Sequence, residues 1–158
     1  MSSNSYYTGD EFNSPRRTGT DSSHYSCSNL PEDDPARYIR AADARRQVAE
    51  APDKRPRIKS QTSKRDRLAE YPANFVNREK LALQAKKPWT EYPVLAQGSW
   101  DPNTGKLAAG GARGIYNRSD RSEFDIAYHD PTKRTEYKDG QGGYKGDFSL
   151  ASYRPKRT

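Results

Sequence analysis

The chain is short of the residues that usually build a core. Leu, Ile, Val and Phe together supply only eighteen of its 158 residues, few enough to make disorder a serious reading. Cysteine occurs once, as Cys27, which excludes an intrachain disulfide. The two histidines and this cysteine have no ligand-like spacing, so neither a metal site nor a cofactor is expected. No apolar run approaches membrane-spanning length, and residues 1–25 lack the hydrophobic centre of a secretion signal. The expectation is no membrane contact and a reducing (cytoplasmic) compartment, or export if a leader stood where Met1 now stands.

What the chain does have argues against an open coil. Eleven Tyr and two Trp each carry a ring that can bury a large area and stack on a neighbour. The net charge of +7 is too modest to hold a chain of this length apart by self-repulsion. A small Tyr-rich core with long polar loops is the expectation. The pI near 9.5 favours a polyanionic partner, because Lys and Arg facing phosphates release counterions. A soluble basic surface with no such partner accounts for the charge equally well.

Residues 1–23 are rich in Ser, Thr and Gly without periodicity and read as a disordered tail. Asp33-Asp34-Pro35 then offers a carboxylate cap and a proline suited to a first helical turn. A helix is expected from there to about Glu50, with Tyr38, Ala41, Ala42, Arg45 and Val48 along one stripe and Pro52 ending it. Residues 53–67 read as a basic loop, solvated or touching RNA; a nuclear-import signal is a less favoured use of it. From Tyr71 the texture changes to short β-type segments between turn residues. Strands are expected at Tyr92–Leu95, Gly114–Asn117 and Glu123–His129. In the last, Phe124, Ile126 and Tyr128 alternate with Asp125, Ala127 and His129, which turns the imidazole away from the apolar face. The same alternation sets Glu91 opposite Tyr92 and Val94. Arg113 fits less cleanly, because it shares parity with Ile115. The architecture that follows is α+β, one α-helix packed on a twisted antiparallel sheet, with a tail over 1–23, a domain over 24–140 and a basic extension over 141–158. In that extension Asp147–Ala151 could add an edge strand, or the whole could be tail.

Three residues beside these strands carry chemistry together. Cleaving RNA without metal uses the 2′-hydroxyl as nucleophile, so a base must take its proton, a cation must hold the charged phosphorane, and an acid must protonate the departing 5′-oxygen. Glu91 suits the first role, Arg113 the second through its bidentate fork, and His129 the third. Taken singly, each is also an ordinary surface residue: a Glu before Tyr-Pro, an Arg after Gly-Gly-Ala, a His capping a turn with Asp130.

Their order resembles the small fungal guanyl-specific ribonucleases and sarcin-type ribotoxins, with barnase-like enzymes as distant cousins, over about Tyr25 to Tyr137. Tyr71-Pro72-Ala73-Asn74-Phe75 matches a Tyr-Pro-His-x-aromatic motif, and Glu91-Tyr92-Pro93-Val94-Leu95 a Glu-aromatic-Pro-hydrophobic one. Gly111-Ala112-Arg113 matches an element that enters a strand, Ile126-Ala127-Tyr128-His129 a strand ending in His, and Tyr25-Ser26-Cys27 an upstream Tyr-x-Cys. The resemblance implies a metal-independent endoribonuclease cleaving 3′ of guanosine to a 2′,3′-cyclic phosphate, with Glu91 as base, Arg113 as phosphate ligand and His129 as acid. It implies Tyr71 and Tyr137 as supporting aromatics. It also implies a base site in which Phe75 stacks, Asn77 offers backbone contacts and Glu79 accepts from the guanine edge. RNA is the implied partner, a monomer is expected, and a protein inhibitor would explain how a host tolerates such an enzyme.

The chain departs from that pattern at Ala73, where the fungal enzymes carry a second histidine, and at Val76 and Arg78 in the base loop. The missing disulfide removes a stabilisation of about 2–4 kcal/mol. Three readings therefore stand side by side: an active endoribonuclease, a ribonuclease-like RNA-binding or fungal effector protein with little catalysis, and a disordered basic assembly protein.

Overall fold

A computed structural model describes residues 22–59, 67–133 and 147–155 of the chain. Tyr137, most of the expected tail and residues 156–158 lie outside the described residues. Strands form where β-branched and aromatic residues alternate with small or polar ones. A five-stranded antiparallel sheet runs in the order β5 (Ala73–Asn74), β6 (Thr90–Pro93), β7 (Ala112–Asn117), β8 (Asp120–His129), β9 (Phe148–Leu150). A second sheet sets β1 (His24–Ser26) between β2 (Tyr38–Arg40) and β10 (Ser152–Arg154), both antiparallel to it. The segment after residue 141, expected as an extension, thus supplies an edge strand to each sheet. The basic loop is not wholly irregular: β3 (Arg57–Ile58) pairs with β4 (Arg67–Leu68), and Ile58 is buried. The class is α+β, with one α-helix and antiparallel sheets among the described residues.

The helix, α1 (Ala41–Glu50), starts later than Asp34 and Pro35 suggest. Asp34 does cap, its carboxylate accepting from Ala36 N at 2.8 Å and its carbonyl from Arg37 N at 3.0 Å, but the result is an isolated turn. Pairing of β2 with β1 then wins over helical propensity, because it buries Ile39 completely. The helix begins only where the Ala41 amide finds the Ser23 carbonyl. Its buried stripe is Ala41, Ala44, Gln47 and Val48, and Tyr38 is exposed. The last turn carries no basic residue of its own. Arg121 of β8 serves it instead, its Nη1 donating to Val48 O at 3.0 Å and Ala51 O at 2.7 Å, and its Nη2 to Asp53 at 2.7 Å. This answers the orphan carbonyls and the negative end of the helix dipole together.

The main core holds Tyr25, Tyr71, Tyr92, Tyr116 and Tyr128 with Ile39, Val48, Val94, Ile126 and Trp100. Trp100 stands edge-on to both Tyr71 and Tyr92. The helix comes so near the sheet that a Cβ on Gly114 of β7 would lie 2.8 Å from Val48 Cγ2 and 3.2 Å from Val94 Cγ2. Gln47 braces the contact through a reciprocal pair with Leu95: its Nε2 donates to Leu95 O and its Oε1 accepts from Leu95 N, both at 2.8 Å. No helix among the described residues is long and apolar enough to cross a membrane.

Candidate active site

Side chains on neighbouring strands share a face when their residues are register partners. Ala73 pairs with Glu91, Glu91 with Ile115 and Ile115 with Asp125. Arg113 pairs with Ala127, and His129 with Phe148. Arg113 lies two residues along β7 from the partner of Glu91, and His129 two residues along β8 from the partner of Arg113. Glu91, Arg113 and His129 therefore form a diagonal across one face, each step about 7 Å along the strands. The shared parity of Arg113 and Ile115 is resolved: both belong to this face, and Ile115 packs with Ala127 and Phe75 in a second, smaller core.

That core changes what the face is. Alternation alone suggests a solvent face, yet side-chain exposure is 16% for Glu91, 4% for Arg113 and 39% for His129. The segment after β5 folds back over the sheet, and Asp125 anchors it by accepting from Gln84 N at 3.0 Å and Ala85 N at 2.9 Å. Leu81, Leu83 and Trp89 then pack on Phe75, Ile115 and Ala127.

Arg113 is held from several sides. Nη1 donates to Gly110 O at 2.8 Å and Ala112 O at 2.9 Å. Nη2 donates to the Tyr71 hydroxyl at 3.0 Å, and the guanidinium lies 4.8 Å over the Tyr71 ring. Its Nε is 3.6 Å from Glu91 Oε1, an ion pair too long for a good hydrogen bond. Among the described residues this Nε is buried with no hydrogen-bond partner, a state that costs about 1–3 kcal/mol. Burial pushes the Glu91 carboxyl above its ordinary value, outweighing the downward pull of Arg113 and of Lys106; the charge of Glu79 acts in the same sense as burial.

His129 is placed by the strand that follows it in space. Its Nδ1 lies 2.7 Å from Asp147 Oδ1. Its ring lies over Phe148, with centroids 4.3 Å apart and planes 31° from parallel. Tyr137, expected as a supporting aromatic, lies outside the described residues; among the described residues Phe148 is the aromatic seen against this imidazole. Phe75 is buried and meets Phe148 edge-on at 5.6 Å. Asn77, at φ +56°, organises its own loop: its Oδ1 accepts from Leu81 N at 2.8 Å and its Nδ2 donates to Leu81 O at 3.1 Å. Glu79 Oε2 accepts from the Phe148 amide at 2.7 Å. The structure thus brings Glu91, Arg113 and Tyr71 into contact, sets His129 on the same face, and links Phe75 and Glu79 to β9.

Sequence reasoning did not single out Asp147, Phe148 or Lys106 for the site. The only signal for the first two is the strand-like run Asp147–Ala151; nothing local says that it returns to His129. Among the described residues, no group of three or more His, Cys, Asp and Glu side chains could hold a metal ion.

A family model described as ribonuclease matches residues 21–139, a stretch that contains Glu91, Arg113 and His129. No curated protein matches the chain.

Proposed function

The chain belongs to the ribonuclease family, and from that premise we propose that it cleaves single-stranded RNA without metal by transphosphorylation. Glu91 takes the proton of the 2′-hydroxyl, and the 2′-oxygen forms a bond to phosphorus. The bond from phosphorus to the 5′-oxygen breaks, and protonated His129 delivers its proton to that oxygen. A 2′,3′-cyclic phosphate and a free 5′-hydroxyl leave. Burial raises the Glu91 carboxyl toward the working pH, which suits a general base. The observation that carries the reading is the orphaned Arg113 Nε beside Glu91. A phosphate oxygen arriving there would gain a charge-assisted hydrogen bond from a donor already fixed in place and already dehydrated.

Guanosine on the 5′ side of the scissile bond is the narrower part of the proposal. The base would enter beside the Asn77 loop and hydrogen-bond to Glu79. An ionised carboxylate offers roughly four acceptor positions, so the Phe148 amide on one oxygen leaves capacity for a base edge. Phe75 would stack only after its contact with Phe148 loosened. Tyr71 supports the phosphate site through Arg113, and Tyr137 remains a proposed phosphate-side aromatic.

Incubating the full chain with guanosine-containing dinucleotides in chelator tests the reading. Cyclic phosphate should form and should be lost in His129→Ala; persistence in that variant, or dependence on metal, would sink the mechanism. A second reading, an RNA-binding protein with little catalysis, is favoured by Ala73, which sets a methyl beside Glu91 where the resembled enzymes have an imidazole. Intact RNA bound with an affinity that falls steeply with salt, and no cyclic phosphate, would select it.

A further inference from the structure

The acid end of the face is completed by residues beyond the matched stretch of 21–139. Asp147 stands immediately before β9, its side chain 7% exposed against 39% for His129. Its position is fixed through the backbone on both sides. Its carbonyl accepts from Asp130 N at 2.7 Å, and the next amide, of Phe148, donates to Glu79 at 2.7 Å. The Phe148 ring covers the imidazole at 4.3 Å and so limits its rotation. A carboxylate so placed faces Nδ1 of the ring.

When ionised, a carboxylate only accepts hydrogen bonds, and the 2.7 Å contact then puts the proton on His129 Nδ1. Which ring nitrogen carries the proton is set by the bond the other one makes. We propose that Asp147 is the positioning residue of His129: it holds the imidazole in the Nδ1–H form and orientation, which leaves Nε2 to exchange the reaction's proton. This rests on the RNA-cleavage reading of the same face. In the first step the imidazolium keeps Nδ1–H on Asp147 and passes the Nε2 proton to the 5′-oxygen as its bond to phosphorus breaks. The neutral ring left behind has its lone pair on Nε2. When water later opens the cyclic phosphate, that lone pair takes the water's proton as the new P–O bond forms, and protonated Glu91 returns its proton to the departing 2′-oxygen. Without Asp147 the neutral ring is free to adopt the Nε2–H form or to turn, and a large share of molecules then present the wrong nitrogen.

The test uses the full chain labelled with ¹⁵N-histidine. With two histidines in the sequence, a His24→Gln variant assigns His129. Nitrogen shifts of the neutral ring should report the Nδ1–H tautomer in the wild type and its loss in Asp147→Ala. With guanosine 2′,3′-cyclic phosphate as substrate, whose opening by water uses the neutral ring, kcat should fall about ten- to a hundredfold with KM changed less than about twofold. Asp147→Asn, whose amide oxygen can still accept, should keep part of both properties. A wild-type Nε2–H tautomer would overturn the proposal, as would an Asp147→Ala variant with kcat within about twofold of wild type. If neither variant folds, the wild-type tautomer decides. If the wild type cleaves no RNA, the function reading fails, while the tautomer still decides whether Asp147 directs this ring.

Discussion

The two faces of the five-stranded sheet are built from the same strands and follow opposite rules. Toward α1, Tyr92, Tyr116, Phe124, Ile126 and Tyr128 are buried, and the approach is so close that β7 has room only for a glycine under Val48. Arg121 answers the helix carbonyls there, while the Tyr116 hydroxyl is buried with no hydrogen-bond partner among the described residues. On the opposite face, Ile115, Ala127 and Phe75 form a small core around a buried guanidinium with an orphaned Nε and a carboxylate whose pKa burial has raised. The first face spends its residues on packing. The second buries an ionisable pair, Glu91 and Arg113, beside its small core, as a functional site does.

Four changes would sharpen or break this contrast. The largest effect is expected from His129→Ala and Glu91→Gln: kcat for RNA cleavage should fall about 10²–10⁴-fold. Their melting temperatures should move by no more than about 3 °C, and a large thermal shift would mean that this face is structural. Gly114→Val should do the reverse. Its Cβ alone meets Val48 inside contact distance, so urea unfolding should show a loss of about 3 kcal/mol, with kcat per folded molecule retained. Arg121→Ala should cost about 2 kcal/mol in the same measurement, since charge-assisted bonds to the helix end disappear; no change would show that water serves those carbonyls as well.

The smallest effect is a slope. The folded-state pKa of Glu91 lies above its unfolded value, so the folded protein holds the proton more tightly and stability falls as pH rises through the window between the two. Glu91→Gln should remove that component, flattening stability against pH just above the ordinary carboxylate range. Asp130 supplies the opposite sign within one fold. Burial would raise it, but hydrogen bonds from Ser149, Thr132 and Asn29 outweigh burial and hold it at about 2. Its contribution is therefore present above the ordinary carboxylate value and lost as pH falls toward about 2.

Much of this was legible in the residues. Period-two alternation in Phe124–His129 and around Glu91 assigned both residues to the face away from the helix, because side-chain direction in a strand is a local property. The helix start was misread at Asp34 because capping chemistry is local too, and a strand partner such as Tyr25, fourteen residues from Ile39, can override it. The expected solvent face was misread for a similar reason: nothing in Leu81–Trp89 announces that it folds back onto Ile115.

The sequence by itself determined that Glu91, Arg113 and His129 stand in this order beside strand-like segments, which follows from residue type and short-range periodicity; that Ala73 is a departure follows only from the resemblance to the fungal ribonucleases. Only the tertiary structure decided how those groups are tuned. The burial of Glu91, the Arg113 Nε left without a hydrogen bond among the described residues and the carboxylate of Asp147, eighteen residues from His129 in the chain, depend on which distant segments come to rest against them. Contacts of that kind are set by strand register and loop closure, which no local pattern encodes.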